Sequence, residues 1–212
     1  METRDTADTA RPDAFRVGDH PALDFLNTLA APRGTPIEWL ASGQDLLDWL
    51  VGAQLLSSAE ATRLASTWPA TDIDAAAREA ARFREWLRDL VARLAGAGPS
   101  SLRPADVHRV NELLSRESGY AALVSGEGSP DWRVARRHRW ERPDQLLVLV
   151  AAPVADLLAA SDWGLVRQCE NPQCTIWFYD RTKAHRRRWC SQAACGNRAK
   201  VAAFRARQRG DD

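Results

Sequence analysis

Along most of the chain the apolar positions recur at three- and four-residue intervals, the spacing that gathers them on one face of a helix. The clearest run is Ile73 to Ala95, where Phe83, Trp86, Leu87, Leu90 and Leu94 form a continuous stripe. Its other face sets Glu85 near Arg88 and Asp89 near Arg93, at spacings that allow ion pairs. Shorter amphipathic segments precede it. Ala22 to Ala30 follows His20-Pro21, with Leu23, Phe25 and Leu26 facing inward. Gln44 to Gln54 carries Leu46, Leu47, Trp49 and Leu50, and a third helix follows the capping-like Ser57-Ser58-Ala59-Glu60. Gly96 to Ser100 ends the long helix, and Arg103-Pro104-Ala105-Asp106 opens another that runs through Leu114.

Beyond Leu114 the pattern changes. Gly119 to Val124 and Asp131 to Trp140 flank the turn-rich stretch 125–130 and predict a β-hairpin, with Trp132, Val134, Arg136, His138 and Trp140 on one face. Pro143 to Ala160 is rich in alanine and leucine and predicts a helix with Pro143 near its start, despite Pro153 inside it. The expected fold is mainly α with one small β-hairpin (α+β) over residues 14–162, after a frayed tail at 1–13. A separate C-terminal module with a terminal helix follows at 163–212.

Composition narrows the class without naming a function. With 45% hydrophobic and 27% charged residues among 212, the chain is ordinary globular material and is not expected to be disordered. No apolar run is expected to approach the roughly 18 to 20 residues of a bilayer span, which argues against an integral membrane protein. Met1 to Asp13 is polar and mixed in charge, unlike a secretory signal, and this predicts a cytoplasmic location. The net charge of +1 conceals a segregation: residues 1–166 hold 18 basic and 24 acidic side chains, a balance of −6, whereas 167–212 hold 11 and 4, a balance of +7. That asymmetry suggests a basic module for an anionic partner joined to a mildly acidic body.

All four cysteines lie in the basic part. Cys169, Cys174, Cys190 and Cys195 read C-x4-C-x15-C-x4-C. Two short-spaced pairs separated by a longer insert suit one tetrahedral zinc ion, because each pair forms a tight knuckle and the insert brings the knuckles together. Four thiolates close the shell, so the ion is expected to be structural. Disulfides or unrelated thiols are the alternatives, and reduced cytoplasmic thiols favour the metal. His185, in the insert, is a substitute ligand candidate; His20, His108 and His138 are scattered and read as structural.

Between the knuckles, 175–180 reads as a strand, with Trp177, Phe178 and Tyr179 as the mini-core of the zinc module or, alternatively, a stacking surface for bases. Arg181, Lys183, Arg186, Arg187 and Arg188 form a basic loop. After Gly196-Asn197 a terminal helix begins at Arg198. At about 100° per residue, Arg198, Arg205 and Arg209 share a stripe, Lys200 and Arg207 form a second one, and Val201 and Phe204 lie between for packing. Such a surface suits duplex DNA, with Arg198 the base-contact candidate and Arg205 and Arg209 on phosphates. An RNA or an acidic protein is the alternative partner. No nucleophile elbow, phosphate-binding glycine loop or metalloprotease helix is present in the sequence, so no enzyme is expected.

The segment Cys190 to Lys200 (CSQAACGNRAK), preceded by Arg187-Arg188-Trp189 and by 178–181 (FYDR), resembles the CGNR zinc finger of bacterial proteins. Leu23 to Thr28 (LDFLNT) resembles the start of the ABATE domain that accompanies that finger. The resemblance implies a stress-induced bacterial transcription regulator whose N-terminal domain senses a ligand and whose finger binds DNA. It also implies that Cys169, Cys174, Cys190 and Cys195 bind one structural Zn2+, and that Gly196, Asn197 and Arg198 complete the signature. Members commonly carry serine where Thr182 stands, and the hydroxyl is retained. On a helix, Asp24 would face Asn27 and Thr28. This cluster is either a small-molecule pocket or a hydrogen-bonded structural joint. A homodimer, which would double the DNA site, is left open.

Overall fold

The computed structural model describes residues 11–125 and 131–210. The body is built on one long helix. In α4 (Ala70–Ala97) the residues Ile73, Ala77, Ala80, Phe83, Leu87, Leu90 and Leu94 are buried, as the periodicity requires. Around it pack α1 (Pro21–Leu26), α2 (Gly43–Gly52), α3 (Ser58–Thr67), α5 (Pro104–Leu114) and α6 (Val148–Ala160). Their starts are locally encoded. Ser42 and Asp45 exchange reciprocal cap bonds, the Ser57 hydroxyl oxygen accepts from Glu60 N, and Asp106 accepts from Arg103 N at 2.9 Å. Gly98 ends α4 at φ 79°, a conformation that glycine adopts without a steric penalty.

Several expectations are corrected. Helix α1 stops at Leu26, four residues short, and Leu29–Ala30 instead forms β1, paired antiparallel with β2 (Ile37–Glu38). The cause is tertiary: Asn27 turns its amide to a distant backbone, and Arg88 donates to the carbonyls of Leu26 and Leu29, both at 2.9 Å. Arg88 does pair with Glu85 as expected, but Arg93 bridges to Asp106 at 2.8 Å rather than to Asp89. Arg84 lies on the apolar face of α4, 2% exposed, with a two-pronged ion pair to Glu38, 2.7 Å on each prong.

The hairpin pairs β3 (Tyr120–Ser125) with β4 (Trp132–Arg137); its expected turn falls largely in 126–130, outside the described residues. His138 and Trp140 leave the ladder and stack at its base with ring centroids 4.7 Å apart, while Trp132 and Val134 stand exposed. Pro143–Ala160, including α6, does reach span length, with a mean hydropathy of 1.5 over 18 residues, contrary to expectation. Half of it is buried as a core helix, which explains its composition. Of the expected frayed tail, 1–10 lies outside the described residues. Arg11 already pairs with Asp45, and Pro12 O accepts from Trp39 Nε1 at 2.7 Å.

Two short strands lead into the C-terminal part. Strand β5 (Val166–Gln168) pairs antiparallel with β6 (Trp177–Tyr179). Because successive strand side chains point to opposite faces, Trp177 enters the body's core while Phe178 enters a second cluster around the cysteines. The expected mini-core is therefore divided between two cores. Residues of the body, among them Ala30, Trp39 and Ile37, complete the second cluster, so the module is packed onto the body.

Candidate metal centre and basic module

The first knuckle is the turn between β5 and β6. Cys169 N donates to Ile176 O and Cys174 N to Asn171 O, and the Asn171 side chain accepts from Gln173 N at 3.0 Å. The second is a π-helical turn, Gln192–Gly196, opened by Ser191, whose hydroxyl accepts from Ala194 N; it runs into α7 (Asn197–Arg209). Glu170 N donates to Arg188 O, tying the two knuckles together.

All four Sγ atoms lie within 4.8 Å of one another and all four residues are buried. Cys174 and Cys190 are 3.8 Å apart at sulfur, and Cys190 and Cys195 are 3.5 Å apart. With zinc–sulfur bonds of about 2.3 Å, a tetrahedron has edges of about 3.8 Å, whereas a disulfide would need about 2.05 Å. The donor set therefore fits one structural Zn2+. Hydrogen bonds from Cys174 and Cys190 hold the Cys169 thiol down at about 2, while the bond to Cys169 pushes Cys174 up to about 12; Cys190 is raised as well. Protein groups alone favour the thiolate at Cys169 and oppose it at Cys174 and Cys190, and a bound divalent cation would counter that opposition.

Each signature residue then has a structural task. A Cβ on Gly196 would meet the end of the Gln192 side chain at 2.9 Å, so that side chain folds over the space the glycine leaves. Asn197 Nδ2 donates to Ala193 O at 3.1 Å. Arg198, the expected base reader, is turned inward: its Nη2 donates to Cys195 Sγ at 2.9 Å and to Pro32 O. Arg187 is also engaged. It lies 4.2 Å from the Phe178 ring centroid, donates to the carbonyls of Val17, Trp189 and Cys190, and pairs with Asp19. Sequence reasoning placed both on the surface because the partners that draw them inward, Val17, Asp19 and Pro32, lie more than 160 positions away.

Asp180 organises the basic loop. It is fully buried and accepts from Thr182 Oγ1 at 2.6 Å, Thr182 N at 3.1 Å and Arg187 N at 2.9 Å. Burial opposes its charge, but these bonds outweigh that and keep the carboxyl below its ordinary value. Thr182 thus supplies the hydroxyl that the signature retains. His185 approaches Asp180 O at 3.1 Å through Nδ1, away from the sulfurs, and is not a ligand. Arg181, Lys183 and Arg186 stand exposed, Arg188 pairs with Glu170, and Lys200, Arg205 and Arg207 are exposed along α7; the Arg209 side chain is outside the described residues. Val201 and Phe204, expected to pack, are 48% and 56% exposed.

Of the two readings of Asp24, Asn27 and Thr28, the hydrogen bonds of Asn27 and Thr28 fit the structural joint. Asn27, 1% exposed, donates to Trp177 O at 2.8 Å and accepts from Trp177 N at 2.9 Å, behaving like a strand partner across 150 residues. Thr28 Oγ1 donates to Phe25 O and accepts from Arg84 Nη1 at 3.1 Å. Asp24 points elsewhere, accepting from Gly18 N at 2.8 Å, and burial pushes its carboxyl up to about 6. The early end of α1 is what separates the three.

Comparison with curated proteins gave no match. The family model of the CGNR zinc finger matches residues 166–208. That of ABATE, described as "Putative stress-induced transcription regulator", matches residues 19–161, more than half of the chain. The chain belongs to the ABATE family and carries a CGNR zinc finger at its C-terminal end.

Proposed function

We propose that this protein is a cytoplasmic, DNA-binding transcription regulator without catalytic activity, in which the finger engages duplex DNA and the helical body receives a chemical or stress signal. One observation carries the reading. Within 171–209 the only acidic residue is Asp180, against ten Lys and Arg, and Asp180 is buried and saturated with internal bonds. Glu170, just before this segment, is exposed and pairs with Arg188, and the rest of the exposed charge is positive, the electrostatic footprint of a polyanion site. Zinc fixes the knuckle that starts α7, which presents Lys200, Arg205 and Arg207. A groove lined by Arg186, Arg188, Ser191 and Gln192 lies beside the basic loop and suits a phosphate. The ABATE description supports a regulatory role.

The test is selection of genomic duplex fragments by the zinc-loaded protein at near-physiological salt, with random duplex and RNA as competitors and Cys190→Ser as the finger-disrupted control. A shared motif enriched by the wild type and lost in the control supports the reading. No enrichment by folded, zinc-replete protein refutes it. A second reading, in which α7 docks on a protein, has Val201 and Phe204 in its favour, both exposed between the basic stripes. Under that reading the protein selects no DNA motif, and Phe204→Ala abolishes partner capture.

A further inference from the structure

Of the seven large hydrophobic side chains exposed among the described residues, four lie on the hairpin: Tyr120, Leu123, Trp132 and Val134, at 49%, 64%, 65% and 72%. Among those residues β3 and β4 pair only with each other, and neither strand contributes to a hydrophobic cluster. The base of the ribbon is pinned. Glu117 meets His138 Nδ1 at 3.1 Å, Gln145 Nε2 donates to Ser118 Oγ at 2.9 Å, and the Arg139 guanidinium lies 5.4 Å from the Tyr120 ring centroid. Beyond the base, the register sets Leu123 opposite Val134 and Ser125 opposite Trp132, so these side chains share one face with Arg136. Both outer edges offer backbone N–H and C=O groups to a further strand. A lone two-stranded ribbon is at best marginally stable in water, and added strands are what stabilise it.

The sequence of β4 selects a copy of itself. In an antiparallel ladder centred on Val134, the run 131–137 (DWRVARR) sets Asp131 against the second copy's Arg137, Trp132 against its Arg136, Arg133 against its Ala135 and Val134 against its Val134. Opposite charges then face each other at both ends, and a guanidinium lies beside an indole ring. Arg136 engages Glu117 through Nε at 3.6 Å, which leaves the face of its guanidinium to the ring. Moving the centre by one residue sets Arg133 against Arg133 or against Arg137, and like charges directly opposite are destabilising. Strand β3 (YAALVS) is uncharged and sets no such register. We propose that two copies of this protein pair through the β4 edge, in the register centred on Val134, to form a four-stranded antiparallel sheet about a two-fold axis. Leu123 and Val134 of each copy then form one continuous apolar row across it. The dimer carries two fingers, so under the DNA reading it engages two half-sites.

The experiment is sedimentation velocity on full-length, zinc-loaded protein without DNA, over about a hundredfold range of concentration. We expect a reversible equilibrium between monomer and dimer. Asp131→Arg sets arginine against Arg137, and Arg137→Glu sets glutamate against Asp131, each at both ends of the ladder. Either variant alone should raise Kd at least about tenfold. Mixed in equal amounts, the two variants face each other with opposite charges at both ends, and the mixture should dimerise within about threefold of the wild-type Kd. Circular dichroism and one zinc per chain check the fold; should either variant fail that check, Val134→Glu and Val134→Lys, which repel alone and attract when mixed, take their place. Protein that stays monomeric throughout the range, single variants that dimerise like the wild type, or a mixture that stays monomeric overturns the proposal. A monomer whose duplex binding falls with Arg137→Glu also overturns it, and assigns the ribbon to DNA.

Discussion

Replacing Asn27 by alanine separates a joint from a ligand pocket. The side chain is buried and spans the Trp177 peptide with one donated and one accepted bond, at 2.8 and 2.9 Å. Truncation leaves the Trp177 N–H and C=O buried and unpaired, at about 1 to 3 kcal/mol each, so the central expectation is a loss of about 4 kcal/mol. For a chain of this length that corresponds to a fall in Tm of about 10 °C, and it is a large share of ordinary domain stability. The assay is urea and thermal unfolding of zinc-loaded protein at fixed free zinc, read by circular dichroism, with Thr62→Ala as an exposed control. Asn27→Asp should be at least as damaging, because a carboxylate then faces the Trp177 carbonyl. A loss below about 1 kcal/mol for Asn27→Ala would show that solvent or neighbouring groups satisfy Trp177, and the joint would then be no more than a surface contact.

Arg198→Ala should speed zinc release by about 10- to 100-fold, followed with a chromogenic chelator, because its bond to Cys195 Sγ supports a ligand; unchanged release would remove it from the metal's surroundings. Arg205→Gln should weaken binding to all duplex sequences and lower the salt-dependence slope by about 1. A change in sequence preference alone would contradict a phosphate role. Asp24 is raised to about 6 in the fold, so the native state binds more protons than the unfolded chain between about pH 4 and 6, and this group's contribution to stability falls as pH rises through that window. Asp24→Asn keeps the acceptor for Gly18 N and should flatten the dependence, adding about 1 to 2 kcal/mol at pH 7 after allowance for partial exposure. A variant with the wild-type pH profile would refute the assignment.

Much of the site was visible because its determinants are local. The C-x4-C-x15-C-x4-C spacing marks the ligands, since knuckle geometry needs only neighbouring residues. The α4 stripe and the helix starts at Ser57 and Asp106 follow from helical periodicity and hydrogen bonds three residues long. Arg187 and Arg198 were misplaced for the converse reason. A run of arginines looks alike whether it faces water or folds back, and only the positions of Val17, Pro32 and Phe178 distinguish the two.

The sequence by itself determined the helical body, the hairpin and the zinc ligands, all properties of residues within about two dozen positions of one another, and the segregation of charge, which composition alone sets. Tertiary structure alone decided that α1 stops at Leu26, that Asn27 is a strand partner for Trp177, that Arg84 lies inside against Glu38, and that the finger and body share a hydrophobic cluster. These depend on which backbone groups are left buried and unpaired once the chain has closed on itself, and a distant side chain that satisfies them overrides local helix propensity.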